Sequence, residues 1–424
     1  MNQVLRTVAR EFGTPCYVYF LDQVRERVAA VRAAFGNRFH LSYAVKSNPN
    51  PGLLRRLRGV VDSVDVSSGG EVLRALECGW EAGTLGFTGP GKTADELRTA
   101  VACGIGEVIV ESVDEAELLN CIAGQAQQRQ RILIRIAASR VPRGFGVNMS
   151  GKPTQFGIDE EDIDPAVRVI QRLPQLELCG FHSYSGTQCL KAEAIVENYE
   201  IFIDLFQRVC QTHGVQPQRL IFGAGIGVPY HETDTPVELA AIAAKTNPAL
   251  DALKRVARFA TTQLVLESGR YLVGEAGVFV TRVTRMKQSR GTTLAICDGG
   301  MNHHLAAAGH LGTVVQRNYQ MFKVTDEPEQ GPEAAYNIVG PLCTTIDTLG
   351  RQVQLRGLAA GDLIGIKCSG AYGLTASPIH FISHAPPKEI LVETVDGRLR
   401  FEDSSVFTGA GGGGGQERSA TCGG

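Results

Sequence analysis

Short apolar runs rich in β-branched and aromatic residues punctuate the first two thirds of the chain. HLSYAVK (40–46), SVDVSS (63–68), LGFTG (85–89) and EVIVES (107–112) follow one another at a period near twenty-two residues. ILIRIA (132–137), LCGFHSYSG (178–186), RLIFGAG (219–225) and QLVLES (263–268) continue the series at wider spacing. Runs of this length between turn-forming residues predict buried strands. Between them lie segments with helical periodicity, among them NPGLLRRLRG, GGEVLRALECG, TADELRTAVACG and VDEAELLNCIAG, several closed by a glycine suited to a helix C-terminus. Eight strands alternating with helices predict an α/β fold, a (β/α)8 TIM barrel. An open doubly wound sheet would leave eight near-regular repeats without closure.

Beyond about residue 275 the pattern changes. VFVTRVTRMKQS, TTLAICDGG, GDLIGIKCSG and KEILVETVDGRLRFE, separated by Gly, Pro and Asp, carry little helical periodicity and predict a second, mostly β domain. TPCYVYF (14–20) reads as a strand that precedes the barrel and is free to join that later sheet. The resulting division is a barrel over 22–276, a β-domain from 1–21 plus 277–402, and a tail over 403–424. The run GAGGGGGQERSATCGG in that tail has nothing to bury and is expected to be disordered.

Composition narrows the partners. The 424 residues exceed what one small core organises, and 43% hydrophobic with 20% charged residues is an ordinary globular balance. Lys and Arg total 42 against 44 Asp and Glu, so no basic excess points to nucleic acid. No apolar run approaches the roughly 18 residues needed to cross a bilayer, so no membrane partner is expected. The eleven cysteines include no CxxC pair, and the chain begins without the pattern of a secretory signal. Reduced thiols and a cytoplasmic location are expected.

Active sites of such barrels lie at the C-terminal ends of the strands. The first strand ends in Lys46, which desolvation at the barrel mouth would give a lowered pKa and a capacity to form a Schiff base. The sixth carries His182 and Ser185, and the seventh runs into GAGIG, with Gly223, Gly225 and Gly227 able to bring backbone amides close to a phosphate. The eighth ends in ESGRY, which places Glu267 beside Arg270. Each group has an ordinary reading when taken alone: a surface lysine, a tight turn, an acid and a base that neutralise one another. Taken jointly they suit pyridoxal phosphate. The lysine would hold the aldehyde, the histidine face the ring, the glycines and arginine take the phosphate, and the carboxylate keep the ring nitrogen protonated as an electron sink.

YAVKSNPNPGLL, VDVSSGGEV, GFHSYSGTQ, GAGIG, ESGRY, CDGGM, VGPLC and SGAYG resemble, in order over roughly residues 12–392, the motif series of the alanine-racemase-fold decarboxylases, which include the diaminopimelate and ornithine decarboxylases. The resemblance implies a homodimer whose active sites are completed by the neighbouring subunit. It implies that Lys46 binds the cofactor, that Asp65 and Glu71 lie near it, and that His182 stacks on the ring. It assigns phosphate contacts to Ser185, Gly225, Arg270 and Tyr372, and the ring-nitrogen contact to Glu267. Cys343 and Asp347 match the loop that reaches across from the partner. A thiol with a pKa near ~8.5 is protonated at neutral pH, so Cys343 can return a proton after carbon dioxide leaves. Its plain alternative is a small packed hydrophobe.

The chain departs from the better-known members at the substrate's far end. Thr344 follows VGPLC where basic-substrate members carry an acid, leaving Asp347, Thr344 and Arg270 as the candidate substrate contacts. Ala306 stands where the diaminopimelate enzymes carry an arginine that clasps the distal carboxylate. A buried polar end without partners costs roughly 1–3 kcal/mol, which makes free diaminopimelate a poor expected fit. MNHHLAA, CTTIDTLG and GAYGLTASPIHF are more similar to the butirosin-type decarboxylases, which act on a glutamyl group carried as a thioester on an acyl carrier protein. The alternatives are a diaminopimelate, ornithine or lysine decarboxylase, an amino-acid racemase, or a silent homologue; retention of Lys46 and Cys343 argues against silence. His303 and His304 are expected to be solvated or bonded to backbone, and no metal site is expected.

Overall fold

A computed structural model describes residues 1–311, 317–326 and 331–407. All eight predicted barrel strands form: His40–Ala44, Ser63–Val66, Leu85–Phe87, Glu107–Val110, Gln130–Ala137, Leu176–Ser183, Arg219–Gly223 and Gln263–Ser268. Each pairs in parallel with its neighbours, and the fourth also pairs with the fifth and the eighth with the first, which closes the barrel. Most strand residues are buried, as a sheet covered by helices outside and filled by side chains inside requires. Ile109, Leu133, Ile221 and Val265 form a compact cluster from four of the strands.

The helices begin where their sequences predict. Thr93 and Glu96 form a reciprocal capping box at the start of Ala94–Cys103, and Gly104 ends that helix at φ +69. Ser68 and Ser112 each accept a backbone N–H at the starts of Gly69–Glu77 and Val113–Gln125. These caps fix the chain immediately after the second and fourth strands, at the end of the barrel where the candidate residues lie.

The β-domain sheet runs in the order 348–356, 333–339, 292–297, 277–289, 16–20, 388–395 and 398–403. The N-terminal strand Cys16–Phe20 lies at its centre, antiparallel to Gly277–Ser289 and parallel to Lys388–Val395. A helix over Asn2–Glu11 covers this sheet, with Leu5 and Val8 packed among Val278, Val280 and Ile390. Residues 403 and 404, assigned by composition to the tail, are bonded into the described fold. Asp403 ends a strand, and Ser404 donates its backbone N–H to Glu389 and its hydroxyl to Asn50. The glycine run over 408–424 lies outside the described residues.

Candidate active site

Lys46 sits in a short turn, Val45–Ser47, that ends the first barrel strand. Its Nζ donates to Asp65 Oδ2 at 2.8 Å and lies 3.6 Å from Glu267 Oε1. Glu267 Oε2 meets His182 Nε2 at 3.2 Å, and the Thr88 hydroxyl donates to the other oxygen of Asp65. The strands bring these groups together through register: Ala44 pairs with Asp65, Ser42 with Glu267, and Gly223 with Glu267. Asp65, His182 and Glu267 are each 5% exposed or less, so their charges act in a low-dielectric setting.

That setting overturns one expectation. Desolvation alone would lower the Lys46 pKa, but the carboxylates of Asp65 and Glu267 outweigh it and hold the amine well above its usual range. Burial acts to raise Glu267, yet Lys46 and the hydrogen bond from His182 bring it down to about 2. Asp65 is pushed up by burial and by the neighbouring Glu267 charge. Glu71 lies beside this cluster, with an oxygen accepting the Ser67 N–H at 2.7 Å.

Away from the carboxylates the pocket changes character. Ala44, Lys46, Tyr184, Gly225, Arg270 and Tyr372 are among its lining residues. The Ser185 hydroxyl is buried and has no hydrogen-bond partner among the described residues, an arrangement that costs free energy unless an acceptor or donor arrives. Gly225 turns at φ +65, where a side chain would be strained and a Cβ would lie 2.6 Å from Phe145. Gly223 packs against Tyr184, and Gly227 against the backbone of Gln188, so both glycines also serve close packing. Glu267 does not neutralise Arg270; it serves Lys46 and His182 instead. Arg270 has no carboxylate partner among the described residues, and Tyr372, at φ +52, lays its ring 4.5 Å from the guanidinium carbon. An orphaned hydroxyl, a tight turn and an unneutralised arginine fit a phosphate. An amine flanked by carboxylates and a histidine fits the ring and aldehyde of pyridoxal phosphate.

Comparison with known proteins agrees. Residues 21–274 match the model of the pyridoxal binding domain of pyridoxal-dependent decarboxylases. The chain belongs to this decarboxylase family. It is 34% identical to the L-glutamyl-[BtrI acyl-carrier protein] decarboxylase of Niallia circulans, over 91% of this chain and 90% of that protein. It is 30% identical to the diaminopimelate decarboxylase of Aquifex aeolicus, over 92% and 89% respectively. The crystal structure of diaminopimelate decarboxylase from Helicobacter pylori, complexed with L-lysine, superposes with a TM-score of 0.82 at 26% identity, covering 94% of this chain and 95% of that one. The protein is thus a pyridoxal-phosphate-dependent carboxy-lyase with a TIM barrel and a mostly β domain.

Other residues singled out in the sequence lie outside this pocket. Cys343 is exposed and Thr344 half-buried, and neither lines the Lys46 pocket. Asp347 is buried. Its two oxygens accept the backbone N–H groups of Met301 and Leu342 at 2.6 and 2.8 Å, which ties the CDGGM turn to the VGPLC turn. Of the two expectations for His303 and His304, solvation fails, since both are buried, while His304 does bond to backbone. His304 meets the Ser369 hydroxyl at 2.9 Å and the Ala307 N–H at 3.3 Å, and burial lowers its pKa to about 3. His303 meets Asn302 at 3.0 Å, and burial brings it to about 4. Both rings are therefore neutral at physiological pH, filling the β-domain beside the mouth.

Sequence reasoning missed Thr88, Tyr184, Thr187 and Tyr230. It also missed a buried ion pair, Arg135 with both oxygens of Glu111 at 3.1 and 3.2 Å. Glu111 accepts the N–H groups of Gly89 and Gly157 as well, so it joins two loops to the fifth barrel strand. A signal existed: ILIRIA and EVIVES each hold a charge within an apolar strand, and a charge there needs a partner.

Proposed function

We propose that this decarboxylase removes the α-carboxylate of an L-amino acid, with Lys46 as the cofactor-binding amine. The observation that carries this reading is Lys46 between Asp65 and Glu267, in a pocket that Arg270 also lines. When bound, pyridoxal phosphate supplies an electron sink for the pair left behind by carbon dioxide. His182 would face the ring, and Glu267, held anionic by Lys46 and His182, would keep a proton on the ring nitrogen. Ser185, the turn through Gly223, Gly225 and Gly227, Arg270 and Tyr372 would hold the phosphate.

In a homodimer, the exposed Cys343 of one subunit would return the proton to Cα in the other subunit's site. Mixing inactive Lys46→Ala and Cys343→Ala subunits is then expected to restore about one quarter of sites at full exchange, because half the dimers are hybrids with one intact site. Absence of recovery despite demonstrated exchange places Cys343 outside a shared site.

For the far end of the substrate, diaminopimelate has the broader support. The Aquifex, Haemophilus, Zymomonas and Vibrio relatives of that name are each 30–32% identical over most of the chain. A second reading, a glutamyl group on a carrier protein, is favoured by one specific observation: Ala306 is buried in a run of alanines and offers no cation to a distal carboxylate. The Niallia relative carries that substrate in its name. Binding energy from a carrier surface and its arm can substitute for a missing clasp. Carbon dioxide release should be measured on diaminopimelate, lysine, ornithine, arginine and carrier-loaded glutamate. Efficient turnover of diaminopimelate is expected on the first reading. A kcat/KM at least about tenfold higher on the carrier thioester, some 1.4 kcal/mol, would replace it with the second.

A further inference from the structure

The charged groups of the site are held in two ways. Lys46 and Arg135 are fixed by carboxylates. Arg270 is fixed by neutral groups alone among the described residues: NH1 donates to the Tyr230 hydroxyl, Nε to the Thr187 hydroxyl at 3.4 Å, and the rings of Tyr230 and Tyr372 lie 5.5 and 4.5 Å from its guanidinium carbon. A carboxylate in that place would compete with any incoming anion for the same donors. A phenol orients the fork and leaves the full positive charge unspent.

Tyr230 is itself well fixed. It is 5% exposed, and its ring packs on Tyr319 at 4.6 Å. The Gln320 N–H donates to the Tyr230 carbonyl at 3.0 Å, the Gln320 side chain to Pro229 at 3.0 Å, and His231 Nδ1 meets the Asn318 carbonyl at 2.8 Å. The 318–320 segment, which follows the barrel in sequence, thus clamps the loop that follows GAGIG. Tyr319 is in turn covered edge-on by His304 at 5.6 Å.

We propose that Tyr230 is the positioning residue of Arg270, holding its guanidinium beside Thr187 and the Gly225 turn as a preorganised receptor for the cofactor's phosphate. This rests on the reading in which Arg270 meets that phosphate. A charged donor that is already oriented loses less freedom when it binds, so deleting the single hydroxyl oxygen should weaken phosphate recognition without disturbing the ring end of the pocket.

The test titrates cofactor-free protein with pyridoxal phosphate and, separately, with pyridoxal, which lacks the phosphate, following binding by visible absorbance. Tyr230→Phe is expected to reduce the preference for the phosphorylated form by about tenfold, with pyridoxal affinity changed less than about twofold. Arg270→Ala is expected to reduce that preference further. If Arg270→Ala abolishes the preference and Tyr230→Phe leaves it intact, the role of Tyr230 is overturned. Equal weakening of both ligands by Tyr230→Phe overturns it too, because a purely structural role would do that. An unchanged preference in Arg270→Ala overturns instead the underlying assignment of the phosphate site. Tyr230→Leu, which also lacks the hydroxyl, is read in the same way should the Phe variant fail to fold: loss of the preference is expected, and an intact preference would overturn the proposal.

Discussion

Lys46→Arg and Lys46→Ala are both expected to lose the visible absorbance of bound pyridoxal phosphate and nearly all carbon dioxide release. Loss of a positioned proton-transferring amine alone costs roughly 10²–10⁴-fold, and loss of covalent attachment adds to it. The two variants separate chemistry from folding. Lys46→Ala leaves Asp65 and Glu267 facing one another in a buried pocket without the cation between them, and it should be less stable than the parent. Lys46→Arg keeps the positive charge and carboxylate contacts, but a guanidinium does not deprotonate to act as a nucleophile. Absorbance spectra, borohydride trapping followed by peptide mapping, and thermal unfolding provide the readouts. A cofactor trapped on another lysine in either variant would refute the assignment. Lys92 is poorly placed to replace it: its ammonium is buried and already donates to Gly89, Ile109 and Glu115.

Glu267→Gln is expected to retain the cofactor while turnover falls on the order of 10²-fold or more, because the amide cannot stabilise a protonated ring nitrogen and the electron sink weakens. A second signature follows from the charges. The Lys46 pKa is held up by Asp65 and Glu267 against burial, which lowers it, so removing one carboxylate must move it down. In the cofactor-free variant the amine should therefore deprotonate at lower pH than in the parent, measured as the pH dependence of its reaction with pyridoxal. Unchanged turnover with cofactor bound would remove Glu267 from its role. An unmoved amine titration would show that Asp65 alone sets the Lys46 charge.

The strand periodicity read from residues 40–268 corresponds to the closed barrel, because each of those runs is buried and bounded by its own turn or cap, all within one stretch of sequence. Lys46, His182, Ser185, Gly225, Glu267 and Arg270 were legible for the same reason: each stands at or just beyond the end of a predicted strand, and in a parallel barrel all such ends share one face. The strand at 16–20 was legible too. Its place between 277–289 and 388–395 was not, since strand order depends on which edges meet.

What the sequence determined by itself is thus the set of elements and the identity of the chemical groups at the barrel mouth. The tertiary structure alone decided their states and partners. Lys46 is held charged because Asp65, nineteen residues away in the chain, and Glu267 from the eighth strand approach it in a buried pocket. Asp347 binds the backbone at Met301 and Leu342 because two turns of the β-domain fold against each other. Arg270 is free of Glu267, near it in sequence, and is held by Tyr230, forty residues away. Hydrophobic period is a local property of the chain, whereas hydrogen bonds and charge interactions depend on distances of a few ångströms that only the packed fold sets.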